Sequence, residues 1–256
     1  MPSLGTTTYN LTIAALKQFW NTMQDRIGAG KNPWTKVAKQ GNADSERREI
    51  RADELEVIFK EAKTTVPPLH NLFMVMLYTG LRLGDAACLK WSDVDLARGF
   101  VSLVPQKTKR CGEKARVRNP ITPPLRAMLE SCATSKTRKG LVLPDMAHEY
   151  EAGRLGGMIT KFFRKCGLAT TKRDGGKAHS VLSAHSFRHT FISIAANAGI
   201  QLVTVQSVVG HMSPEMTAHY FHANDIDTAR HFKALTSTGD KEASPIALDV
   251  RGGKGA

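Results

Sequence analysis

In the segment AHSFRHTFISIAANA, Phe187, Phe191, Ile194 and Ala198 recur three and four residues apart. A chain that repeats apolar residues at that interval can bury them together only as an α-helix. His185 and Arg188 stand three apart on the same stretch, roughly a turn, and so share a face that points largely away from the apolar stripe. Both can then reach one anionic group. Further on, VVGHMSPEMTAHYFH reads as a turn at Gly210-His211 and then a helix with Ser213 as N-cap and Pro214 at its first position. Tyr220 falls about two turns into that helix. A phenol, with a reference pKa of about 10, attacks only when a base accepts its proton or cations stabilise the phenolate. Histidine and arginine are the side chains that do so.

A net charge of +13 and a pI near 9.8 favour a polyanionic partner, nucleic acid before others. The plain alternative is a basic surface kept for solubility. With 256 residues and a hydrophobic fraction of 41%, the chain can bury a core as one large domain or as a small one beside a larger. Cys88, Cys111, Cys132 and Cys166 are widely spaced, with no C-x-x-C pair and no zinc-spaced histidines, and read as reduced thiols. The N-terminus lacks a secretion signal, and the most apolar run, Leu72 to Leu83, is too short for a bilayer. No membrane association is expected, and the expected location is cytoplasmic.

In chain order, Asn10 to Ile27 reads as one amphipathic helix, capped by Asn10, stopped by Gly28 and Gly30, and burying Leu11, Ala14, Ala15, Phe19 and Met23. Lys39 to Arg51 is polar and charged and reads as an exposed linker. Helices follow at Asp53 to Lys63 and Leu69 to Tyr78, before Thr79-Gly80 turns the chain and presents Arg82. Gly99 to Val104 and Ala115 to Ile121 read as a β-hairpin with a basic tip. Thr122-Pro123-Pro124 starts a helix to about Cys132, and Glu151 to Cys166 reads as another. Thr170 to His179 reads as a basic loop; its Gly175-Gly176-Lys177 lacks full P-loop spacing, so no nucleotide site is expected. Asp225 to Leu235 is a last helix candidate, and Ser237 to Ala256 has the composition of a disordered tail.

The segments H-S-F-R-H and V-G-H, followed nine residues later by Tyr220, resemble the signature of the tyrosine recombinases, the phage-integrase family. In that family the order is His-x-x-Arg, Gly-His and a nucleophilic tyrosine, with an upstream arginine after a Thr-Gly turn and a hairpin lysine about two dozen residues later. Arg82 in YTGLRLGD and Lys107 in VPQKTKR fill the last two places, with Lys109 the near competitor to Lys107. The departures are mild: Asp85 where Glu is more frequent, Phe187 where Leu is common, Val209 where Leu is usual. The similarity runs from about Arg51 to Leu235.

The resemblance implies a mostly helical α+β catalytic domain with a small antiparallel β-sheet carrying Lys107. It divides the chain into a remnant of a helical, SAM-like core-binding domain (1–38), a linker (39–51), the catalytic domain (52–236) and a disordered tail (237–256). The implied catalytic set is Arg82, Lys107, His185, Arg188, His211 and the nucleophile Tyr220, with Asp85 in support. Arg82 and Arg188 would each present two donors to the phosphate, His185 would assist proton removal from Tyr220, His211 would hydrogen-bond the phosphate, and Lys107 would protonate the leaving oxygen. Lys109, Arg110 and Lys114 at the hairpin tip, and Lys172, Arg173 and Lys177 in the later loop, are assigned to DNA; a solvated charged face is the plain reading of each. The expected partners are double-stranded DNA recombination sites and further copies of the chain in a tetrameric synapse on the bacterial nucleoid, with neither cofactor nor metal. A DNA-binding regulator without strand cleavage and a type IB topoisomerase are the competing readings. His189 and His222 read as structural, and Tyr78 and Tyr150 lack neighbouring basic groups in the sequence.

Overall fold

The computed structural model describes residues 5–28, 30–41, 47–134, 136–174 and 177–210, in two units that divide after Glu46. The first unit is helix α1 (Thr6–Ile27) and a 3-10 turn at Pro33–Lys36. The helix starts four residues before the expected cap, because Asn10 is used elsewhere: its Nδ2 donates to the Gln40 carbonyl at 2.8 Å and its Oδ1 accepts from the Gln40 N–H at 2.9 Å. The returning chain covers the face of Ile13, Lys17 and Trp20, with Lys17 donating to Val37 and Trp20 to Gly30. Leu11 and Phe19, expected inside, are therefore 66% and 63% exposed.

The second unit begins with a clamp. Arg48 makes two 2.6 Å bonds to Glu54, its N–H donates to Val181, and the N–H of the buried Ile50 donates to Thr190 Oγ1 at 2.8 Å. The stretch expected as an exposed linker is thus packed from Arg48 onward, because Ile50 has an apolar seat and its amide a partner. Helices α2 (Ala52–Thr65) and α3 (Pro67–Thr79) follow, the second started by proline at its first position. Leu55 and Ile58 enter the core, where Phe73 of α3 stacks on Phe187 at 4.7 Å and meets Phe163 at 6.0 Å.

After a short helix α4 (Leu83–Ala87), strands β1 (Val94–Asp95), β2 (Phe100–Leu103) and β3 (Val117–Pro120) form an antiparallel sheet in that order. Pairing of Val101 with Asn119 and Leu103 with Val117 turns these four residues inward. The hairpin expected here is present, and Lys107 falls in the segment that joins its strands, where the sequence placed it. Pro105 offers no N–H to the ladder, and the chain from Gln106 to Ala115 coils as 3-10 helix, broken at Gly112.

Helix α5 (Pro123–Cys132) starts where expected. The single helix expected over Glu151 to Cys166 begins instead at Leu155. Gly153, at φ 70°, separates α6 (Pro144–Glu151) from α7 (Leu155–Lys165). The basic loop expected at Thr170 to His179 is a hairpin, β4 (Thr171–Asp174) against β5 (Lys177–Ser180), and Gly-Gly between two such runs is a two-residue hairpin sequence. Helices α8 (His185–Asn197) and α9 (Leu202–Val209) complete the described unit; α9 carries no expectation from the sequence. The helices expected after Ser213 and at Asp225 to Leu235, and the tail from Ser237, lie outside the described residues. No helix among the described residues is long and apolar enough to cross a membrane.

Candidate active site

Arg82 is presented by the turn between α3 and α4. Gly80 adopts φ 63°, and a Cβ there would stand 2.5 Å from the Phe191 ring, so both the backbone conformation and the close approach of α8 require glycine. Arg82 is the N-cap of α4 and half-buried; its Nη1 is buried and meets no acceptor among the described residues.

Arg188 departs from its expected position. On α8 it is 1% exposed, as buried as Phe187 and Ile192, because the α3–α4 turn and α9 close over it. Its Nη1 donates to the Gly80 carbonyl at 2.8 Å and its Nη2 to the Val209 carbonyl at 2.6 Å, while Nε is buried without a partner among the described residues. Both ends of the guanidinium therefore tie two turns together, and Nε is the nitrogen left with no acceptor. Burial, then the charge of Arg82, pushes the group down to about 9, with Asp85 opposing, so it stays cationic at neutral pH. The apolar stripe also shifts: Ile192 and Ala195 are buried, Phe191 and Ile194 line an apolar cavity of about 570 Å³ facing β2, β3 and α9, and Ala198 is exposed.

His185 is the first residue of α8, half-buried, with its ring edge-on to His189 one turn later at 4.9 Å. Burial, His189 and the charges of Arg188, Arg47 and Arg82 hold its imidazole down to about 3. It is neutral at pH 7 and able to accept a hydrogen bond or proton. An arriving phosphate would offset the positive charges around it. Neither His189 nor Arg47 was assigned to the site by the sequence; Arg47 sits in the stretch read as linker. The spacing of His189 four residues after His185 on one helix is the signal that could have found it.

Asp85, 6% exposed, lies one turn after Arg82, and its Oδ1 accepts the Gln106 N–H at 2.8 Å. Burial pushes its carboxyl up, while that bond and the charges of Arg82 and Arg188 pull it down. The support expected toward an arginine is accompanied by another: Asp85 anchors the residue before Lys107. Lys107 itself is exposed, as are Lys109, Arg110 and Lys114 on the same 3-10 segment. Lys172 and Arg173 are exposed on β4, and Lys177 opens β5. His211 and Tyr220 lie outside the described residues, but Gly210, at φ 66°, closes α9 beside Arg188's acceptor Val209. A Cβ on Gly210 would stand 2.8 Å from Val117 of β3. Arg82, Asp85, His185 and Arg188 thus form one cationic cluster, and Gln106 joins the start of the lysine segment to it. Among the described residues no group of three or more His, Cys, Asp or Glu side chains could hold a metal ion.

The chain matches the model of the phage integrase family over residues 48–226. It is 25% identical over 220 residues to tyrosine recombinase XerD of Listeria innocua serovar 6a, covering 84% of this chain and 71% of that protein. With tyrosine recombinase XerC of the same organism it shares 25% over 239 residues, 91% of this chain and 75% of the other. Among solved structures, the Tn1549 transposon integrase in complex with a circular intermediate DNA has a similar fold, with a TM-score of 0.69 at 18% identity over 91% of this chain and 80% of that one. A lambda integrase dimer bound to a COC′ core site gives 0.62 at 16% identity, covering 85% and 74%.

Proposed function

The chain belongs to the phage integrase family, and we propose that it is a site-specific DNA recombinase, cutting and rejoining strands through a 3′-phosphotyrosyl intermediate in the integration or excision of a mobile element. The observation that carries this reading is the pair Arg82 Nη1 and Arg188 Nε: buried on guanidinium groups and without an acceptor among the described residues, beside a neutral His185. Buried N–H groups of charged side chains are costly unless they meet an anion, and a phosphodiester supplies one.

In this reading Arg82 and Arg188 bind the non-bridging oxygens of the scissile phosphate, stabilising the charge that redistributes in the transition state without a metal. Tyr220 Oη attacks phosphorus, with His185 assisting removal of its proton. The P–O5′ bond breaks, and the departing 5′ oxygen takes a proton from Lys107. A P–O bond to Tyr220 replaces the one lost, so a 5′-hydroxyl from another strand can reverse the step with no nucleotide cofactor. His211 hydrogen-bonds the phosphate, and Asp85 holds the Gln106 backbone from which the Lys107 segment departs. Lys109, Arg110, Lys114, Lys172, Arg173 and Lys177 meet DNA phosphates flanking the cut. Self-association on DNA belongs to the same reading; a lambda integrase of similar fold was solved as a tetramer bound to a Holliday junction.

The test is a covalent-adduct assay. Wild type and Tyr220→Phe are mixed with nicked duplexes drawn from DNA flanking the gene and run on a denaturing gel. A slower protein band formed by wild type alone is the expected result; binding by wild type with no adduct would favour a DNA-binding regulator instead.

A further inference from the structure

Asn119 is a polar residue on the inner face of β3, paired across the sheet with Val101 and fully buried. Alternation along the strand would place an apolar side chain there, like its inward neighbour Val117. Its Nδ2 donates to the Thr79 carbonyl at 3.0 Å, and its Oδ1 is buried without a partner among the described residues. An unmet buried oxygen is a liability, so an amide at this position asks for a compensating role.

Thr79 is the last residue of α3, and its carbonyl is one that a helix end leaves without an internal partner. Gly80 and Leu81 lead from it to Arg82, and the two peptides joining Thr79, Gly80 and Leu81 are tied. The Gly80 N–H donates to Met76, the Gly80 carbonyl accepts from Arg188, and the Leu81 N–H donates to Thr79 Oγ1 at 3.2 Å. Asn119 supplies the remaining tie, from the sheet. We infer that Asn119 is a positioning residue for Arg82, fixing through the Thr79 carbonyl the turn that aims the guanidinium at the phosphate. This rests on the reading of Arg82 as a phosphate ligand.

The experiment uses the full chain and a nicked duplex on which the covalent adduct accumulates irreversibly, so slow rates stay measurable. Asn119→Leu removes both the donor and the unmet oxygen at similar volume, and Asn119→Val serves as a second variant. DNA affinity should match wild type and the melting temperature should fall by only the few degrees that one unmet buried carbonyl costs, while adduct formation slows about 30-fold, as for a catalytic group misplaced by a fraction of an ångström. In an Arg82→Lys background, where the fork is already lost, the same substitution should slow the reaction less than about 3-fold. Equal slowing in both backgrounds, an unchanged rate, or unfolding of both the Leu and Val variants would overturn the positioning role while leaving strand cleavage by wild type intact. Absence of any adduct with wild type would overturn the cleavage reading, and this role with it.

Discussion

The pocket around Arg188 and the segment around Lys107 carry the same sign of charge in opposite settings. Arg188 is enclosed, its guanidinium tied to Gly80 and Val209 across two turns. Lys107, Lys109, Arg110 and Lys114 lie exposed on a 3-10 segment interrupted by Gly112. A charge that stabilises a transition state gains from a fixed position and low dielectric, whereas charges that follow a DNA backbone work through water and counterions. Lys107 stands where the two regimes meet, next to the Gln106 amide that Asp85 anchors.

Substitutions should separate these regimes. The largest effect is expected from Arg188→Ala, which leaves the Gly80 and Val209 carbonyls buried and unmet. About 2–4 kcal/mol of stability should be lost in urea denaturation, and adduct formation should fall at least about 10³-fold. If stability held, Arg188 would be a surface-like cation and the contrast would collapse. Lys107→Ala should slow single-turnover cleavage about 10²-fold or more, as for loss of a general acid, with an unchanged melting temperature. A change in affinity alone would return Lys107 to the solvated group. Gly80→Ala, where the new methyl meets the Phe191 ring in a left-handed backbone, should cost about 1–3 kcal/mol and widen the pocket's response to denaturant.

The pH response distinguishes them as well. The His185 imidazole, held at about 3 in the folded chain, sits below its ordinary value near 6.5. Between those limits the unfolded chain binds the extra proton, so stability falls as pH drops through that window. His189 is shifted in the same direction; Asp85, pushed upward by burial, works oppositely, losing stabilisation as pH rises above the ordinary carboxylate value. His185→Gln should recover about 2 kcal/mol at pH 5, measured by denaturation across the series. The smallest effect is expected at Lys109→Ala: adduct chemistry unchanged, and the salt dependence of DNA affinity reduced by about one unit of slope.

The pattern His-x-x-Arg on a helix, with the Thr-Gly turn before Arg82, marked residues that the fold brings together from 100 positions apart, as Arg188 and Gly80 show (|i−j| of 108). Periodicity placed most helices, because helix signals are local. It misjudged what depends on distant partners. Arg188 looked to lie off the buried stripe because α9, which closes over it, was not recognised; the Lys107 segment looked like a plain hairpin tip, whereas it coils as 3-10 helix. Leu11 and Phe19 looked buried because the covering chain takes the opposite face of α1. Asn119 carried no local signal: its role depends on the Thr79 carbonyl, 40 positions away.

Tyrosines other than Tyr220 offer the sharpest challenge. Tyr150 of α6 is half-buried and packs directly on Gly84 in α4, two residues from Arg82. Tyr78 faces the apolar cavity, where burial raises its phenol. The most direct measurement is therefore to trap the covalent adduct on a nicked duplex, digest the protein, and identify the tyrosine that carries the 3′-phosphate by mass spectrometry. The expected carrier is the peptide containing Tyr220. A nucleotide on the peptide containing Tyr150, or on any residue other than Tyr220, would contradict it.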